Sequence, residues 1–282
     1  MTAITPQNPE DERQLRFLHT SQGEEGSGAV RYAAAMYFFQ RGMLSERELE
    51  AYRASSKIDG RPASPAQDAI ANLAEGVAEY ISGLEFPGKK DAIAGMSRWA
   101  HGKPLPLPAS VVEACSHLPA AFAAMTDRKL AALLEAAAPH LAWANFSGYP
   151  IVEIGEAFAH NNIYATLIGE GAPYPAEDFD VGLFLIAPHI FYRDHNHAAP
   201  ELYAPLTGPH GWRFECGTSL HWQAAGIAVW NEPHRPHAIM AGEVPFLAIY
   251  CWTRDVNSPA RVLFCDDWAV IEGAREQHSK AL

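Results

Sequence analysis

Apolar positions recur with two different periods along the chain. After the capping box Ser64-Pro65-Ala66-Gln67, Ile70, Leu73, Ala74, Val77, Ile81 and Leu84 follow at three- and four-residue steps. That spacing predicts an amphipathic helix ending between Leu84 and Gly88. A second box, Ser45 to Glu48, starts another helix, and further helices are expected over 91–101, 111–125 and 126–138, with a stiff proline run at 104–108. The polar, Gly-rich stretch 21–28 marks residues 1–28 as a flexible lead-in. Beyond Tyr149-Pro150 the period shortens. Runs at 163–168, 181–186, 201–206, 212–216, 227–230, 246–252 and 262–264 are bounded by Gly, Pro and Asp, the pattern of an all-β sandwich or barrel. The expectation is an α+β chain: a helical region over 29–148, an antiparallel β-barrel over 149–270 and a tail over 271–282. With no long linker between 145 and 151, the helices are expected to pack on the barrel and cover its mouth.

Charge narrows the partners. Twenty-one Lys and Arg against thirty-three Asp and Glu give a net charge of −12, which repels phosphate backbones and anionic lipid surfaces. Nucleic acid is excluded as a partner on this ground. No apolar stretch approaches the length a membrane helix requires, and the N-terminus has no basic region followed by an apolar run. The four cysteines, Cys115, Cys216, Cys251 and Cys265, are far apart and read as buried thiols of a cytosolic protein. A cytoplasmic location follows as the expectation. Arg254, Asp255, Asp266 and Asp267 read as solvated charge.

Histidine carries the chemistry. Of thirteen histidines, eight lie between His160 and His237. Within Tyr192-Arg-Asp-His195-Asn-His197-Ala-Ala-Pro-Glu201-Leu-Tyr203, residues two apart on a strand share a face, so His195 and His197 point together. Glu201 follows a Pro-containing turn and Tyr203 lies on its face. Imidazole nitrogen and carboxylate oxygen suit a divalent transition metal: Zn, Fe, Mn, Ni or Co. His237 would complete the set, with His234 as the alternative. His221 is placed as a second-layer group or a substrate contact.

These residues resemble a known superfamily. His195-x-His197-x3-Glu201-x6-Gly208 matches the first metal motif of the cupins, and His237 matches the histidine of their second. The run from Tyr192 to Tyr203, Pro236-His237-Ala238 and the strand at 246–252 look like the dimethylsulfoniopropionate (DMSP) lyases and lyase-like cupins, which also carry helices before the barrel. Two positions depart from the pattern: His189 stands where the first motif has Gly, and Ala241 where the second has Asn. The resemblance implies a cupin double-stranded β-helix that holds one divalent transition metal. It also implies a reaction in which a tyrosine removes the proton beside a metal-held carboxylate. DMSP, or a similar β-substituted carboxylate, then loses dimethyl sulfide and leaves acrylate. Tyr203 is the expected base and Tyr192 the second choice or an orienting phenol. A sulfonium head group would rest on aromatic faces, for which Trp222 and Trp230 are candidates. The expected partner is a small carboxylate, and a homodimer is an assembly the sequence allows.

Two other classes share the ligand set. One is a different metal cupin enzyme, a non-haem iron dioxygenase, isomerase or decarboxylase, which oxygen consumption by iron-loaded protein would favour. The other is a cupin that binds a small ligand without turnover.

Overall fold

Side-chain caps set the helix starts in the computed structural model, which describes residues 4–19, 27–55, 64–105, 107–108 and 110–279. Asn8 accepts from the Asp11 amide at the start of α1 (Pro9–Leu18), and Asp127 from that of Leu130 at α7 (Arg128–Ala137). Ser64 and Gln67 form the reciprocal box at α4 (Pro65–Ser82), with Pro65 in the first turn. Between these lie α2 (Ser27–Gln40), α3 (Glu46–Ser55), α5 (Lys89–Trp99) and α6 (Leu118–Ala124). A 3-10 turn over Glu113–His117 precedes α6, so the single helix expected over 111–125 is two short pieces. Helix α1 occupies part of the expected flexible lead-in; Asn8-Pro9 and three acids in its first turn account for it. Residues 21–26 lie outside the described residues.

Helices α1–α3 close on a core of their own that includes Leu18, Phe38, Leu44 and Tyr52. Helices α4–α7 do something different. Ile70, Leu73, Val77, Leu130 and Leu134 join one core with Leu183, Leu185, Leu247 and Ile249 of the β region.

The strands are β1 (Asn162–Gly169), β2 (Tyr174–Pro175), β3 (Asp180–Ile186), β4 (Phe191–Asn196), β5 (Glu201–Pro205) and β6 (His210–Arg213). They continue with β7 (His221–Gln223), β8 (Val229–Asn231), β9 (His237–Met240), β10 (Phe246–Trp252) and β11 (Arg261–Val262). One sheet has the order β2-β1-β3-β10-β5-β8 and the other β11-β4-β9-β6-β7. All pairings are antiparallel except β1 with β2. Alternation on β10 sends Leu247, Ile249 and Cys251 to the helices, and Phe246, Ala248 and Tyr250 to the opposing sheet. The two sheets therefore face each other across a second core, and among the described residues no ladder joins them into the closed barrel expected. The helical layer packs on the outer face of the larger sheet. The segment leading into β1, with α8 (Ile151–Ile154) and α9 (Glu156–His160), adds Tyr149, Ile154 and Phe158 to the core between the sheets. Helix α10 (Trp268–Ser279) begins three residues before the expected tail.

The cysteine expectation is corrected at one pair: Cys216 and Cys265 form a disulfide, while Cys115 and Cys251 are free. The thiol argument for a cytoplasmic location goes with it. Asp267 is not solvated charge but an ion-pair partner of Arg213. Among the described residues no helix is long and apolar enough to cross a membrane.

Candidate metal and catalytic site

The cluster is built by two strand starts and one strand end. His195 lies near the end of β4, directly opposite His237 at the start of β9, and their ring centroids are 4.0 Å apart. His197 sits just past β4, in the turn that delivers Glu201 to the start of β5. All four side chains are buried.

The backbone fixes the tautomer of each ring. Nδ1 of His195 faces the Arg193 carbonyl at 2.8 Å, that of His197 the Ala199 carbonyl at 2.8 Å, and that of His237 the Arg235 carbonyl at 3.0 Å. A carbonyl only accepts, so each Nδ1 carries the proton and each Nε2 is left with a lone pair. One ligand atom from each of the three rings lies within 4.8 Å of the others. Glu201 adds a carboxylate whose Oε2 is 3.1 Å from His197 Nε2 and 3.3 Å from His237 Nε2. It is steadied by the Trp252 indole at 2.6 Å and the Asn231 amide at 3.1 Å. His237 Nε2 is buried with no hydrogen-bond partner. An unpaired basic nitrogen facing two others and a carboxylate fits a divalent transition metal.

The charges agree. Burial, then the neighbouring His237, holds His195 well below its ordinary value, so it is neutral. Burial opposes the ionised Glu201, but a protonated His197, its Nε2 proton turned to the carboxylate where a metal ion would otherwise stand, outweighs that and holds the carboxyl well below the usual range. Phenols surround the cluster. Tyr192 stacks on His195 at 3.8 Å and hydrogen-bonds Tyr149 across 3.0 Å. Tyr203 lies between Phe184, Trp212 and Phe246, its centroid 6.5 Å from that of His237. Burial pushes both phenols well above 10, with Glu201 adding to the effect at Tyr203 and Tyr149 at Tyr192. Neither can be a base until a cation offsets these effects.

The structure brings His195, His197, Glu201, His237, Tyr192 and Tyr203 together, and leaves the other candidates outside. The His234 side chain is exposed, and only its backbone takes part: its amide donates to the His197 carbonyl at 2.7 Å and its carbonyl accepts from the Asn196 side-chain amide at 3.1 Å. Trp230 faces the helical layer, stacked near Phe86 at 5.7 Å and seated over Gly88, so it is corrected to a packing residue. Trp222 stands opposite Gly211 on the outer face and is half exposed, away from the interior. His221 shares the inner face with Trp212 but is exposed on the edge strand β7, two strand spacings or roughly 10 Å from Ile239 of β9 and farther still from His237. Tyr149, Asn231 and the Glu201 contact of Trp252 were not singled out in the sequence. Only the fold brings them to the cluster, and no local pattern marks them.

A profile of the dimethylsulfoniopropionate lyase family matches residues 105–248, just over half of the chain. The dimethylsulfoniopropionate lyase DddQ of Ruegeria pomeroyi is 28% identical over 92 residues, 33% of this chain and 45% of that protein. The match thus spans under half the length of this curated relative. A crystal structure of one of the DMSP lyases RdDddP and RnDddQII superposes with a TM-score of 0.56 at 20% identity, covering 71% of this chain and all of that one. The crystal structure of DddQ from Ruegeria pomeroyi gives 0.52 at 21% identity, covering 71% and 98%. At these identities the superpositions establish the fold alone, helices ahead of two antiparallel sheets. The profile, which takes in every residue of the histidine cluster and part of the helical layer behind it, establishes more: the chain belongs to the dimethylsulfoniopropionate lyase family.

Proposed function

We propose that the protein is a metal-dependent carbon–sulfur lyase that cleaves DMSP, or a closely similar β-substituted carboxylate, into dimethyl sulfide and acrylate. The observation that carries this reading is the convergence of three lone-pair-bearing Nε2 atoms and the Glu201 carboxylate beside two buried phenols. His195, His197, Glu201 and His237 would hold the ion. A bound dication supplies Lewis acidity toward the substrate carboxylate and positive charge that favours a phenolate. Tyr203, two residues beyond Glu201 on the same face, takes the proton from the carbon next to the carboxylate. The electron pair left behind forms the carbon–carbon double bond as the β-carbon–sulfur bond opens, and neutral dimethyl sulfide departs. Tyr192, engaged with Tyr149, orients the substrate. The buried walls exclude water from the reacting carbon.

The test is headspace dimethyl sulfide from metal-replete protein given DMSP. Tyr203→Phe should keep metal and substrate binding and lose on the order of 10²–10⁴-fold in turnover, while Tyr192→Phe loses less. Exchange of the α-hydrogen in deuterium oxide should fall with turnover. Normal exchange and elimination by Tyr203→Phe would move the base to Tyr192. Unchanged metal content in a His195→Ala/His197→Ala variant would overturn the ligand assignment.

A further inference from the structure

One half-buried acid on the same inner face has no part in the chemistry above. Asp180 opens β3 directly opposite Trp252 of β10, and Trp252 is in turn opposite Glu201 of β5. Directly opposed residues share a face, so Asp180 looks into the space between the sheets, two strand spacings or roughly 10 Å from Glu201. It is held there. The Tyr250 hydroxyl donates to Asp180 Oδ1 at 3.3 Å and lies 2.9 Å from the Thr166 hydroxyl. Two glycines make the room: a Cβ at Gly182 would come within 2.8 Å of the Tyr250 hydroxyl, and one at Gly169 within 2.7 Å of Asp180 Oδ1. Tyr164, also on this face, is close enough to feel the carboxylate.

Asp180 lacks a cation. Among the described residues no Lys, Arg or His acts on it, and the other charge it feels, Glu170, is also negative. A carboxylate partly withdrawn from water without a counter-charge carries a cost, and such groups concentrate where a ligand supplies what is missing. The missing partner must be positive, and the rings of Tyr164, Tyr250 and Trp252 share the face on which it would lie. An onium ion meets both demands: it has no N–H to satisfy, spreads its charge over methyl groups, and is attracted to aromatic faces.

We propose that Asp180 is the counter-charge for an onium head group. It thereby restricts the substrate class to short zwitterions with a carboxylate at one end and a sulfonium or quaternary ammonium at the other. The inference rests on the lyase reading only for the carboxylate end, which the metal cluster would take.

The test compares two isosteric, unreactive acids by calorimetry on metal-loaded protein: 3-(trimethylammonio)propionate and its neutral carbon analogue 4,4-dimethylpentanoate. The parent should bind the cationic acid on the order of tenfold more tightly or better. Asp180→Asn, which keeps the shape and the Tyr250 contact, should bring the ratio near one while leaving the neutral acid's affinity unchanged. Equal or undetectable binding of the two acids by the parent overturns the proposal, and so does a preference that survives Asp180→Asn. Equal weakening of both acids in the variant also overturns it, because the residue would then be structural. A preference without any dimethyl sulfide from DMSP would sink the lyase reading alone; dimethyl sulfide release without the preference would sink this one alone.

Discussion

Burial raises the Asp180 carboxyl from 3.8 to about 7, against the lowering effect of the Tyr250 hydrogen bond. For an acid whose folded-state value is raised, the native protein holds the proton more tightly than the unfolded chain. Its contribution to stability is therefore fully present below about pH 4 and is lost as pH rises through about 7. Asparagine at this position has no proton to lose. Asp180→Asn should match the parent in urea unfolding near pH 4 and exceed it near pH 8, by up to about 4 kcal/mol if the whole shift is realised. A difference between the two proteins that does not change with pH would show that Asp180 does not titrate there. His189 is a second residue whose setting the sequence only half revealed. It takes the place of the glycine in the family's first motif, and its φ of 61° is in the left-handed region that glycine adopts freely. The departure is visible in the sequence, and the structure shows a histidine in a conformation that usually favours glycine.

The element that carries His195 is fastened from behind. Asp194 points to the opposite side of β4 and accepts from Arg213 Nε of β6 at 2.9 Å, from Arg213 Nη2 and from the Trp268 indole of α10 at 2.8 Å. Arg213 also reaches Asp267 at 2.6 Å, and Arg193 pairs with Glu272 of α10 at 2.8 Å. Arg213→Ala strands a buried carboxylate, so a loss of about 3–5 kcal/mol is expected in urea unfolding, with Arg213→Lys recovering only part of it. A loss below about 1 kcal/mol would mean water reaches Asp194. Much of this was beyond sequence reading, for definite reasons. The H-x-H spacing placed His195 and His197 on one face because the period of a strand is two. The same period could not say which face is which. Both faces of the larger sheet are buried, so Val229 and Asn231 went inward and Trp230 outward with nothing local to decide it. Strand β9 was hidden by the prolines before it, and the Cys216–Cys265 link by a 49-residue separation that any pairing could have had.

At the scale of the whole chain, the two cores predict how the protein comes apart. Leu183, Leu185, Leu202, Leu247 and Ile249 on the outer face of the larger sheet are each at most 1% exposed, covered by α4–α7. Uncovering one such side chain costs about 1.5–3 kcal/mol, and five together approach the whole stability of a typical domain. The β region therefore depends on the helical layer, although the sequence changes texture sharply between them. Helices α1–α3 close on their own cluster, and Gln40 Nε2 to the Ala176 carbonyl, at 3.5 Å, is a marginal tie to the strands. A chain starting at Ser64 should unfold in one cooperative transition, with metal content and dimethyl sulfide release like those of the full chain. A chain starting at residue 144 should be insoluble or melt without a cooperative transition, because the outer face of its larger sheet would be a continuous apolar surface. Limited proteolysis of the full chain distinguishes the two cases: cuts before residue 64 should leave an active core. Release of a soluble, cooperatively melting 144–282 fragment would show that the sheets hold together without the layer that covers them.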